Sequence, residues 1–191
     1  MTKKRVAVLV SGSGSNLQAL IDASAAADYP AQIALVISNR DDAYGLTRAR
    51  NAGIATHVIS HKDFESREAF DAAMDAVMTQ HQVEFICLAG FMRVLSPWFV
   101  EKWQGKMINI HPSLLPKYKG LHTHERAIEA GDKEAGCTVH WVSAGVDEGE
   151  IIAQASVPIL AGDTPETLAD RVLAEEHKIY PAALKRIAQA T

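Results

Sequence analysis

Asn109-Ile110-His111-Pro112 closes the apolar run Lys106–Ile110, which reads as a strand. Side chains alternate along a strand, so Asn109 and His111 share a face, and Pro112 leaves both at the strand's carboxyl edge. An amide donor beside a titratable imidazole can polarise a carbonyl and hold a developing oxyanion. A capping pair at a strand end accounts for the same residues equally well. Further along, Val146-Asp147-Glu148-Gly149 offers a carboxylate that can orient an imidazole and favour its charged form. Taken alone, its D-x-G composition favours a plain hairpin turn.

A different chemistry is implied by Ser11-Gly12-Ser13-Gly14-Ser15-Asn16. Glycines let backbone approach a ligand, and a helix beginning there offers unpaired N–H groups to an anion. Leu17 stands where a dinucleotide fingerprint needs glycine, and no Gly-Lys-Ser/Thr follows, so neither that fingerprint nor a P-loop is present. A tight strand–helix turn with Ser as N-cap is the plain alternative. Glu176 lies on the apolar stripe Val172, Glu176, Ile179, Ala183, Ile187, where a carboxylate is costly unless paired or facing a cleft; a ligand hydroxyl pair or a structural Arg would serve. His111, His122, His124 and His140 lack metal-ligand spacing, so no metal is expected. Cys87 and Cys137 make no disulfide framework and suit a reducing compartment.

The elements that must position these residues alternate between strand and helix. Strands are expected at Arg5–Val10, Gln32–Asn39, Thr56–Ser60, Glu84–Ala89 and Lys106–Ile110, with helices around Leu17–Ile21, Tyr44–Ala52 and Phe70–Val77. That alternation indicates βαβ units. Cys137–Val142 and Ile151–Val157 are separated by a short link, which suits an antiparallel pair. A last helix starts at Thr164-Pro165, with Thr164 as N-cap, and Pro181 is expected to kink or split it. Pro112–Thr123 has no period and reads as a lid that orders around ligands. The expected fold is α/β: a Rossmann-like, doubly wound, mainly parallel sheet of about seven strands, antiparallel in its C-terminal part.

The chain has 191 residues, 19 Lys+Arg against 23 Asp+Glu, and a net charge of −4. Its apolar fraction of 48% and charged fraction of 22% exclude disorder, coiled coil and collagen as the main class. The acidic balance argues against nucleic-acid binding, and no apolar span of membrane length occurs. Val6–Val10 after Lys3-Lys4-Arg5 is too short for a signal peptide. A cytoplasmic location and one domain over 1–191 are expected.

Beyond these local readings, SGSGSNLQ (11–18), AGFMRVLS (89–96), NIHPSLLPKYKGLHTH (109–124), CTVHWV (137–142), VDEGEII (146–152) and EEHKIYP (175–181) together resemble the 10-formyltetrahydrofolate-dependent formyltransferases. Within that family the chain is most similar to the branch that formylates glycinamide ribonucleotide for purine biosynthesis. The resemblance implies catalytic roles for Asn109, His111 and Asp147. It implies ribonucleotide binding by Gly12, Ser13, Gly14, Ser15, Asn16 and Glu176. For folate it implies Arg67, Met92, Arg93, Val94, Leu95, Ser143, Ala144, Gly145, Val146 and Asp147, with Arg67 meeting the glutamate tail. Leu173 departs from the lysine of some relatives. The co-substrate would be 10-formyltetrahydrofolate, with no metal, and the enzyme a monomer or weak homodimer acting on small molecules. Residues 1–105 would form the phosphate half and 106–191 the folate-binding and catalytic half. Relatives that act on methionyl-tRNA carry a further C-terminal domain, and formyltetrahydrofolate hydrolases an extra N-terminal one; neither is expected here. A formyltetrahydrofolate hydrolase and a non-catalytic nucleotide-binding Rossmann module are the alternatives.

Overall fold

The computed structural model describes residues 2–191. One seven-stranded sheet runs through the chain in the order β3-β2-β1-β4-β5-β6-β7. Its strands are β1 (Lys4–Val10), β2 (Ala31–Ser38), β3 (Ala55–Val58), β4 (Phe85–Leu88), β5 (Met107–His111), β6 (Glu134–Trp141) and β7 (Ile151–Pro158). The pairs among β1–β5 are parallel, while β6 runs antiparallel to both β5 and β7. The expected α/β architecture is therefore the observed one.

Helices α1 (Ser15–Ser24), α2 (Tyr44–Asn51), α3 (Arg67–Gln80), α4 (Pro97–Lys102), α5 (Thr123–Glu129) and α6 (Pro165–Gln189) cover the sheet. Alternation along β1 divides its side chains between two cores. Val6, Val8 and Val10 pack with Leu17 and Leu20 of α1 and Val172, Tyr180 and Leu184 of α6. Ala7 and Leu9 pack with Phe70 and Met74 of α3 and Phe99 of α4. A strand buried on both faces is apolar without a break, as Val6–Val10 is. The chain steps outward from β1 to β3 and then returns to β4 on the other side of β1. Ligands bind where strand order reverses in such sheets, outside the carboxyl ends. Ser11 follows β1 there and Ala89 follows β4.

Several local expectations need correction. Helix α1 is capped not by serine but by Gly14, at φ 73°, with no side-chain cap. Helices α4 and α5 are short and carry too few apolar positions to show a period; α4 starts on Ser96, whose hydroxyl accepts the Phe99 N–H, with Pro97 following. Pro181 does not split α6, which runs unbroken from Pro165 to Gln189. Interior proline costs a helix about 3 kcal/mol, but Tyr180, Pro181, Ala183 and Leu184 are all buried against the sheet, and that packing outweighs it. Thr164 caps α6 as expected, accepting from the Thr167 N–H.

The irregular stretch after β5 is tied down along its length. Thr138 Oγ1 accepts from the Leu115 N–H (3.1 Å) and Gln154 Nε2 (2.9 Å) and donates to the Ser113 carbonyl (2.7 Å). Gln154 also donates to the Leu115 carbonyl (3.0 Å), and the Tyr118 hydroxyl donates to Asp132 (2.6 Å). Even the largely exposed Lys119–His122 is bridged, because Arg126 Nη1 donates to the carbonyls of Lys119 and Leu121. Aperiodic sequence here is a strap whose backbone partners come from side chains of β6, β7 and α5.

Candidate active site

His111 is the last residue of β5, buried to 7% exposure. Its Nε2 lies 2.8 Å from the Tyr118 carbonyl. A carbonyl only accepts, so Nε2 carries a proton, and Nδ1 is the nitrogen left for a reactant. That Nδ1 faces Asp147 Oδ1 at 3.5 Å. Asp147 sits at φ 52°, and its Oδ2 accepts the Gly120 N–H at 2.9 Å. Burial raises its carboxyl, but the imidazoles of His140 and His111 and the Gly120 N–H outweigh that and hold it below the usual carboxylate range.

Asn109 pairs across the β5–β6 ladder with His140. Its Nδ2 is 3.2 Å from His140 Nε2, and His140 Nδ1 is 3.0 Å from the Trp141 carbonyl. The carbonyl requires a proton on Nδ1, so in the uncharged ring it is Nε2 that accepts from Asn109. That contact fixes which end of the Asn109 amide is the NH₂, and leaves its second N–H for a ligand. His140 Nε2 also lies 3.7 Å from Asp147 Oδ1, beyond hydrogen-bond reach.

The glycine loop is built differently. Gly14 takes the left-handed conformation and lies so close to α2 that a Cβ on it would meet Gly45 Cα at 2.6 Å. Only glycine meets both demands. Asn16, in the first turn of α1, donates from Nδ2 to Glu176 Oε1 at 3.0 Å, and its Oδ1 is buried without a partner. Glu176, 7% exposed, has its carboxyl pushed up by burial and drawn down by the Asn16 amide. The inward stripe read on α6 therefore holds, with Asn16 rather than an Arg as the protein partner.

Both ends meet in a cavity of about 730 Å³. Its lining includes Asn109, His111, His140 and Asp147, together with Asn16, Glu176, Met92–Leu95 and Ser143–Val146. Met92, Val94 and Val146 are 65%, 57% and 59% exposed, an apolar surface left open to the cavity. Among the other sequence-predicted residues, Gly12–Ser15 stand outside this lining, as does the exposed Arg67 at the start of α3. The Arg93 guanidinium lies over the Phe70 ring at 5.8 Å. No cluster of three or more His, Cys, Asp or Glu placed to hold a metal occurs among the described residues.

A formyl transferase family model matches residues 4–184. The chain belongs to the formyl transferase family. Relatives of this chain include the phosphoribosylglycinamide formyltransferase of Escherichia coli, 49% identical over 94% of this chain and 84% of that protein. The human trifunctional purine biosynthetic protein adenosine-3 is 54% identical over 99% of this chain, which spans only 19% of that longer protein. The crystal structure of phosphoribosylglycinamide formyltransferase from Brucella melitensis superimposes with a TM-score of 0.95 at 52% identity, covering 98% of this chain and 96% of that one.

Three contributors to the candidate site carry little signal in the sequence. The contact of His140 with Asn109 follows from β5–β6 register, which one sequence does not display. The Tyr118 carbonyl and Gly120 N–H are backbone groups on the strap and carry no residue-type signal.

Proposed function

We propose that the chain transfers the formyl group of 10-formyltetrahydrofolate to the amine of glycinamide ribonucleotide in de novo purine biosynthesis. The carrying observation is that Asn109, His111, His140 and Asp147 line the same cavity as Asn16, Glu176 and the open apolar Met92–Leu95 stretch. A flat heteroaromatic ring fits that apolar wall, beside Ser143–Val146. The ribose hydroxyls then meet Glu176 and the partnerless Asn16 Oδ1, and the phosphate meets the backbone N–H groups of Gly12–Asn16. Arg67 is assigned to the glutamate tail. The chain works as one domain, residues 1–105 carrying the phosphate loop and 106–191 the catalytic cluster.

The substrate amine attacks the formyl carbon, forming the new C–N bond and sending the carbonyl electron pair to oxygen. The free N–H of Asn109 and protonated Nδ1 of His111 donate to that oxyanion, while Asp147 stabilises the imidazolium. Collapse breaks the bond to the folate nitrogen, which receives the proton lost by the amine through His111 or water. The nucleophile arrives with the substrate, so no enzyme side chain is acylated. Burial pushes the Cys87 thiol up to about 12, which leaves it without thiolate character.

An absorbance assay for deformylated folate, run with and without glycinamide ribonucleotide, tests the reading. Release that depends on the ribonucleotide is expected. Release without it identifies a hydrolase, and tight nucleotide binding with no release identifies a non-catalytic module.

A further inference from the structure

We propose that Arg48 is a positioning residue that aims the N–H groups of Ser13 and Gly14 at the ribonucleotide phosphate, acting through the Ser13 carbonyl. The inference rests on the ribonucleotide reading above. Two donors of α2 hold the glycine loop. The Gly45 N–H donates to the Gly12 carbonyl at 3.0 Å, and Arg48 Nε donates to the Ser13 carbonyl at 2.8 Å. In a trans peptide the carbonyl and the following N–H point in opposite directions. With both carbonyls drawn to α2, the N–H groups of Ser13 and Gly14 must both point away from it. Successive N–H groups turned to one side form an anion-binding concavity, here continuous with the open N-terminus of α1.

The Ser13–Gly14 peptide needs such a tether. Glycine at φ 73° has no Cβ to resist rotation of that plane. Ser13 is exposed and supplies no cap to α1. Arg48 is itself held: its guanidinium sits 4.8 Å from the ring centroid of Tyr44, one turn earlier on α2. Its Cδ lies 3.4 Å from where a Cβ on Gly14 would stand, so the stem runs along the loop. Because Nε makes the carbonyl bond, the Nη groups remain to add positive charge beside the phosphate.

The test compares Arg48→Gln with Arg50→Gln, an exposed basic residue on the same helix, in steady-state kinetics and amide NMR. Arg48→Gln is expected to raise the ribonucleotide KM about 10- to 150-fold, the range of a charged hydrogen bond. The folate KM and the saturated kcat stay unchanged, and Arg50→Gln resembles wild type. The Gly14 amide resonance, which shifts on ribonucleotide addition in wild type, shifts less in Arg48→Gln. Arg48→Lys, which keeps the charge and can reach the carbonyl with one nitrogen, falls between and guards against a folding defect in the neutral variant. A KM increase shared equally by folate, an equal loss in Arg50→Gln, or a Gly14 amide that responds as in wild type overturns the inference. Absence of ribonucleotide-dependent transfer by the wild-type enzyme overturns the functional reading instead.

Discussion

The glycine loop and the His111 cluster sit at the ends of β1 and β5, with β4 between them, and are assembled in opposite ways. Ser11–Asn16 is one contiguous run between β1 and α1, and its shape follows from a positive φ at Gly14 and close contact with Gly45. The His111 cluster draws Asn109 and His111 from β5, His140 from near the end of β6, a carboxylate from the loop before β7, and backbone groups from the strap. At Ser13 and Gly14 the first presents backbone, so it is expected to tolerate a change of the Ser13 side chain and not a change of backbone at Gly14. The second offers side-chain protons held by long-range contacts, so each member is sensitive to what its partners are.

The largest effect that sharpens this contrast belongs to the cluster. Asn109→Ala or His111→Ala should lower kcat by about 10²- to 10³-fold, the usual loss for one oxyanion donor. Calorimetry should find ribonucleotide affinity nearly unchanged; a comparable loss of affinity would show these residues to be binding groups. Trapping a formyl group on Cys87, Cys137 or another side chain would break the direct-transfer mechanism.

Next in size is the link between the two regions. Glu176→Gln should weaken ribonucleotide about 10- to 150-fold, since a charged acceptor is worth about 1.5–3 kcal/mol. Folate should bind as before, and equal weakening of both ligands would reassign that face of α6.

Within the loop, Gly14→Val should weaken ribonucleotide about tenfold or more, because left-handed backbone costs a non-glycine residue about 1–2 kcal/mol before the clash with Gly45 is counted. Ser13→Ala should be much milder. The reverse order would show that the loop binds by side chain and would dissolve the comparison.

The smallest effects concern pH. The folded state holds the Asp147 carboxyl below its usual range. Its contribution to stability is therefore present above the unfolded value of about 4 and disappears as pH falls through the lower folded value. Denaturant titrations of wild type and Asp147→Asn should differ at neutral pH and converge in acid.

Much of this molecule is written in local pattern. Uninterrupted apolar runs separated by amphipathic helices specify a sheet covered on both faces, and Val6–Val10 is buried on both as its composition requires. Asn109 and His111 share a face because strand geometry has period two, and Glu176 faces inward because helix geometry places it on the stripe of Val172 and Ala183. What required tertiary structure is whatever depends on distant chain segments meeting. The β5–β6 register sets His140 against Asn109, and the strap returns the Tyr118 carbonyl to His111 and the Gly120 N–H to Asp147. The burial of α6 carries it through Pro181. Arg48 reaches a carbonyl 35 residues away. Spacing along the chain determines the direction of a side chain within its own element, whereas tautomers, amide orientation and peptide-plane direction depend on the partner across space, which only the folded chain supplies.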